Sequence, residues 1–287
     1  MSFKETSENL FAEHLPRRRE DSRKGENGRV LVVGGSRTYH GAPFHSAKGA
    51  QAAGVDLVYL ALPSPIVSPI RSMSADLIVY PLPDYKFTSG CARRLLKWLP
   101  MVDAAVVGPG LEGVRVEVLS EFIRNLQLKK VKVVLDAGAI QRGLNLLPGS
   151  RVVFTPHAGE FMRLTGVELP NVIEDRVPLV AREAKKLGAV ILEKGHGDVI
   201  SDGETTYVNH TGRAAMTVGG TGDVLAGLTA GFLALGVGEL QAAAMAAYAN
   251  GVAGKSAWSE FGNRITASDL YERLRVFLGR FDREDKT

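Results

Sequence analysis

The stretch VDAAVVGPGLEGVRVEVLSEFIRNLQLKKVKVVLDAG, residues 102–138, sets out one structural unit in full. An unbroken apolar run, AAVV, meets a glycine-rich turn. A helical pattern follows over about 114 to 126, and a second apolar run, VKVVL, ends on Asp136 and another glycine. A strand that is apolar at every position, rather than at alternate ones, is buried on both faces, and parallel strands joined by covering helices are buried in that way. The same order recurs in RVLVVGG (29–35), VDLVYLALP (55–63), DLIVYPLP (76–83), RVVFTPHAG (151–159) and AVILEKG (189–195). The further helices predicted lie at about 43 to 53, 90 to 98, 158 to 164, 174 to 187, 223 to 235, 239 to 258 and 266 to 280. Strands alternating with helices imply an α/β fold, its mostly parallel sheet covered on both faces and joined by right-handed crossovers. DVISDGETTYVN (198–209) differs, since two short runs flank the turn SDGE, and it is expected to form an antiparallel hairpin at the sheet's edge. No linker or repeat divides the chain, so a single domain over 1–287 is expected.

With 287 residues, 45% of them hydrophobic, the chain has ample material for one core. The single cysteine, Cys91, lies in an amphipathic helical pattern and excludes an internal disulfide framework, which suits a reducing, cytoplasmic setting. The opening MSFKETSENLFAEHL is polar and lacks the apolar centre of a secretory signal. The apolar run over 216–238 is interrupted by glycines and Asp223, so it reads as a buried helix rather than a membrane span. The net charge of +4 includes the basic cluster LPRRREDSRKGENGR, but its acids alternate with the bases and it lacks aromatics for stacking on bases. A solvated lead-in, or a cationic rim attracting an anionic nucleotide, fits better than a nucleic-acid surface.

Ligands of such sheets bind beyond the carboxyl ends of the strands, which directs attention to GGS, GPGLEG, DAGA, TPHAGE, EKGHGD and GGTGD. Two motifs there and further on mislead. Gly108, Gly110 and Gly113 satisfy a dinucleotide-binding G-x-G-x-x-G, with Asp136 as the ribose acid, but the motif falls in mid-chain and Pro109 stiffens its turn. ANGVAGKS (249–256) approaches a phosphate-binding P-loop, yet Ala249 occupies the first glycine position and a helical pattern precedes it; Lys255 reads as an exposed helix residue. GGTGDVLAG (219–227) is more informative. Gly219, Gly220 and Gly222 let backbone N–H groups approach an anion while the following helix aims its positive end at the same point. Asp223 at the helix start is then a candidate general base beside a phosphate site, the alternative being a helix-capping acid.

GGTGDVLAG resembles the anion hole of ribokinase-like enzymes. KGENGRVLVVGGS, GAPFHSAKGAQAAG, GPGL, LDAGA, TPHAGEFMRL and AAMTVGGTGDVLAG, spanning roughly residues 20 to 275, occur in the order typical of the NAD(P)H-hydrate dehydratases. The resemblance implies a ribokinase-like three-layer sandwich with a central, mostly parallel sheet. It implies an ADP-dependent, or ATP-dependent, lyase that dehydrates S-NAD(P)HX with Mg²⁺. It makes Asp223 the catalytic base, places Ala42, Gly110 and His157 at the substrate and assigns Lys194, Gly195, His196, Gly197, Asp198, Gly220 and Gly222 to the nucleotide. Glu160 would organise magnesium, and Asp136 would line the site or simply end its strand. Relatives often have Thr in place of Asp198 and Gly in place of Glu112. The resemblance further implies a homo-oligomer, often a tetramer, in which LQAAAMAAYANGVAG would serve an interface or the core, and a separate epimerase, because the first motif begins near residue 24. The competing functions are a vitamin-precursor kinase on the same fold and a non-catalytic nucleotide sensor.

Overall fold

The computed structural model describes residues 2–149 and 152–283. Ten strands form one sheet: β1 (Lys4–Glu5), β2 (Arg29–Val33), β3 (Leu57–Pro63), β4 (Ile78–Leu82), β5 (Ala104–Val107), β6 (Lys132–Leu135), β7 (Val152–Phe154), β8 (Val190–Glu193), β9 (Asp198–Ser201) and β10 (Thr206–Asn209). Their spatial order is β1-β10-β9-β8-β7-β6-β5-β2-β3-β4, and the seven strands from β8 to β4 run parallel. The helices are α1 (Asn9–His14), α2 (Gly41–Ala52), α3 (Ser64–Met73), α4 (Ser89–Trp98), α5 (Val116–Leu128), α6 (Ala158–Thr165), α7 (Ile173–Leu187), α8 (Thr221–Ala234), α9 (Glu239–Phe261) and α10 (Asp269–Arg283).

Side chains alternate across a strand, and each face has its own core. Val30 and Val32 of β2 pack with α1, α2, α3, α8, α9 and α10, whereas Leu31 and Val33 pack with α4, α5, α6 and α7. The result is the expected sandwich of helices, sheet and helices. Among the described residues no helix is long and apolar enough to cross a membrane.

Three elements differ from the sequence expectation. The hairpin β9–β10 is not outermost, because β1 pairs in parallel with β10, its pairing continued by Thr6 N–H bonding to Val208 O at 3.0 Å. A two-residue strand carries no periodicity to detect. Helix α1 is a short helix that buries Leu10 and Phe11. Helix α3 contains Pro65 and Pro69; the first proline is tolerated in the opening turn, and buried Ile66, Val67 and Ile70 hold the helix despite the second.

Helices α2 and α8 cross at backbone contact. A Cβ added at Gly227 would lie 1.8 Å from Ser46 O, and one at Gly49 would lie 2.2 Å from Val224 O. Only glycine permits this approach, and it brings the first turns of both helices to the rim formed by the strands' carboxyl ends.

Candidate active site

The rim is organised around Lys194, the residue after β8. Its N–H donates to Pro156 O at 2.7 Å, and a parallel bridge to His157 joins the ends of β8 and β7. Its side chain crosses β7 to reach β6, where Nζ lies 2.9 Å from Asp136 Oδ1, and it lies 3.9 Å from Glu160 Oε2. Thr155 Oγ1 donates to the same Asp136 oxygen at 2.8 Å. Burial disfavours the ammonium, but Asp136, Glu160 and Asp223 outweigh it and raise the Lys194 pKa. The ammonium also borders the glycine loop, for a Cβ on Gly222 would stand 3.3 Å from Nζ.

Gly220 caps α8 in the left-handed region, φ 98°, and its carbonyl accepts Val224 N–H at 3.0 Å. Thr221 Oγ1 donates to Met216 O at 2.8 Å and pins the approaching chain. The N–H groups of Thr221, Gly222 and Asp223 belong to the first turn and have no intrahelical acceptor, so they stand ready for an anion.

Asp223 is half-buried in the first turn of α8. Among the described residues its carboxylate accepts no hydrogen bond, so it does not cap the helix; only its backbone is engaged, by Ser46 Oγ at 2.8 Å. Burial raises its pKa to about 7, with Asp136 and Glu160 acting in the same direction and Lys194 opposing. An acid tuned to that range is suited to accepting a proton from a hydroxyl at neutral pH.

Ala42 lies in the first turn of α2. Gly110, after β5, packs against the loop that leads into α2: a Cβ there would fall 2.5 Å from Tyr39 O, and Gly35 N–H donates to Pro109 O at 2.8 Å. Both residues therefore stand on one side of the Lys194 cluster. Glu112 is exposed beyond Gly110. The first glycine of the dinucleotide pattern serves packing, since a Cβ on Gly108 would meet Asp136 O at 1.7 Å. ANGVAGKS lies within α9 and forms no phosphate loop.

His157 is the N-cap of α6. Its Nδ1 accepts from the N–H of Gly159 at 3.1 Å and of Glu160 at 3.4 Å, while Glu160 Oε2 accepts His157 N–H at 3.0 Å. This capping box, with histidine in the usual place of Ser or Thr, gives both residues a structural task and leaves the His157 ring largely open at the rim. In the loop after β8, Gly195 and His196 are exposed. Asp198 accepts Gly195 N–H at 3.1 Å and Asn209 Nδ2 at 2.9 Å, closing the loop and tying it to β10.

Two buried charges beneath that loop, Arg176 and Glu193, went unnoticed in the sequence. Arg176 reads as an ordinary helix-surface residue of α7. Glu193 carries a usable signal, an acid closing the fully buried run AVIL, where an unpaired charge is too costly to keep.

The sequence profile of a family described as NAD(P)H-hydrate dehydratase matches residues 30–275. The ADP-dependent (S)-NAD(P)H-hydrate dehydratase of Cenarchaeum symbiosum is 47% identical over 285 residues, 99% of each chain. The protein of the same description from Nitrosopumilus maritimus is 44% identical over the same shares. Among solved structures, the ADP/ATP-dependent NAD(P)H-hydrate dehydratase of Bacillus subtilis, co-crystallised with ATP and Mg²⁺, superposes with a TM-score of 0.86 at 26% identity, covering 98% of this chain and 99% of that one.

Proposed function

The chain belongs to the NAD(P)H-hydrate dehydratase family, and from that premise we propose that it dehydrates S-NAD(P)HX to NAD(P)H at the expense of ADP. Asp223 carries the reading: a carboxylate with a pKa of about 7, free of hydrogen bonds from described residues, stands in the first turn of a helix whose N–H groups await an anion. The nucleotide's phosphates lie at Gly220 and Gly222 and along the segment from Lys194 to Asp198; the hydrated nicotinamide lies toward Ala42, Gly110 and His157.

Hydroxide is a poor leaving group because water has a pKa of ~15.7, whereas phosphate, a far weaker base, leaves readily. Asp223 takes the proton of the ring hydroxyl as its oxygen bonds to the terminal phosphorus of ADP, and the phosphoanhydride bond breaks to release AMP. The ring nitrogen's lone pair then expels phosphate, and loss of a proton from the adjacent ring carbon restores the dihydronicotinamide. The amides of the glycine loop and the Lys194 ammonium stabilise the charge that develops on the phosphoryl oxygens.

Among the described residues no three His, Cys, Asp or Glu converge into a metal cage. The buried Glu160 carboxylate would instead be the residue to hold Mg²⁺ brought in with the nucleotide. Bound there, Mg²⁺ would neutralise phosphate charge. The R epimer of the hydrate is left to a separate epimerase.

The test is to incubate the protein with S-NADHX, Mg²⁺ and either ADP or ATP, following absorbance at the reduced-nicotinamide band and phosphate release. Recovery of absorbance with stoichiometric phosphate is expected. Nucleotide turnover on another hydroxyl compound, with the hydrate untouched, would replace the reading with that of a small-molecule kinase.

A further inference from the structure

We infer that Arg176 is a positioning residue for the nucleotide: it fixes the main chain of the loop 195–198 from beneath, so that the loop presents its outward N–H to phosphate. This rests on the assignment of that loop to the nucleotide.

Arg176 reaches from α7 and is 5% exposed. Its Nη1 donates to Glu193 Oε2 at 2.7 Å, and its Nη2 donates to His196 O at 2.8 Å and to Gly197 O at 2.7 Å. One planar guanidinium therefore joins the last residue of β8 to two successive carbonyls of the loop. Lysine, a single point donor on a flexible stem, cannot reproduce that planar fork. A peptide plane holds its carbonyl and the following N–H on opposite sides. Drawing His196 O inward consequently turns the Gly197 N–H outward, away from Arg176.

The sequence of the loop is fitted to this arginine. A Cβ on Gly195 would lie 2.3 Å from Arg176 Nη1 and 3.3 Å from Glu193 Oε1, so a side chain at 195 would push the guanidinium from its place. Glu193 is fully buried, and among the described residues neither its Oε1 nor Arg176 Nε has a hydrogen-bond partner. A salt bridge so deeply buried contributes little net stability once desolvation is counted. Its position under the loop gives it a use that stability does not. Asp198 completes the arrangement from the other side by accepting Gly195 N–H at 3.1 Å, so the loop is held at both of its ends.

The experiment compares the full chain with Arg176→Lys, Arg176→Gln and Gly195→Ala, measuring Kd for ADP and ATP by calorimetry, KM for nucleotide and for S-NADHX, and Tm. Arg176→Gln should weaken nucleotide binding about tenfold or more and raise the nucleotide KM in step, with the S-NADHX KM within about twofold of wild type. Arg176→Lys should recover part of that loss. Gly195→Ala should show a similar loss, because its Cβ displaces the guanidinium but leaves the Arg176–Glu193 charges in the chain; it keeps the test decisive where the buried substitutions prevent folding. A purely structural role would lower the active fraction and Tm but leave both KM values unchanged, and that result would overturn the inference. So would wild-type nucleotide affinity in folded Arg176→Lys and Gly195→Ala. A wild-type protein that binds neither nucleotide would instead overturn the assignment of the loop, and the inference with it.

Discussion

The Lys194 ammonium stands 2.9 Å from the Asp136 carboxylate, spanning from the end of β8 across β7 to the end of β6. Burial does most to raise the proton affinity of Asp223, and this pair adjusts it, its two charges acting on that carboxylate with opposite sign.

The pH dependence of turnover follows. Asp223 must be ionised to accept a proton and its pKa is raised to about 7, so kcat should fall as the pH drops through about 7. Lys194→Met removes the charge that opposes the rise and should move the acidic limb upward. Asp136→Asn removes one that promotes it and should move the limb downward. Because the carboxylates interact, the limb reports the cluster rather than one group. A kcat profile from pH 5 to 9 checks both signs, and shifts in the reverse order would refute the electrostatic account.

Asp223→Asn keeps the shape of the side chain but cannot take a proton. Turnover should fall by about 10² to 10⁴, the usual contribution of a general base, while ADP binding by calorimetry stays within about twofold of wild type. Undiminished turnover would exclude Asp223 as the base.

Gly227→Ala tests the backbone crossing of α2 and α8. The new Cβ would meet Ser46 O at 1.8 Å and the helices would have to separate, at a cost of about 1–3 kcal/mol. Thermal unfolding should register a fall of about 2–4 °C for each kcal/mol. Gly279→Ala in α10 is the control, since a Cβ there meets nothing within 4 Å; loss of a helix-interior glycine should stabilise by about 1 kcal/mol.

The fold was legible because buried parallel strands show as apolar runs closed by glycine or proline, as in RVLVVGG and AAVVGPG. What escaped was held by tertiary context alone: β1 by its pairing with β10, and α3 by Ile66, Val67 and Ile70 against the core. In the site, the positions of Asp223 and Lys194 were legible, the first because it follows a glycine loop at a helix start and the second because it closes a strand run just before one. The capping box of His157 and Glu160 follows a recognised spacing, but a histidine in the first position disguises it. Arg176 was invisible, since its partners are a strand residue and two loop carbonyls that periodicity on α7 does not register.

The glycine-to-carbonyl crossing of α2 and α8 has a mechanical corollary. Ala42 and Asp223 begin the two helices that it locks together, so a displacement of either helix start must carry the other with it. Ligand-dependent protection from hydrogen exchange should therefore rise together in the first turns of α2 and α8.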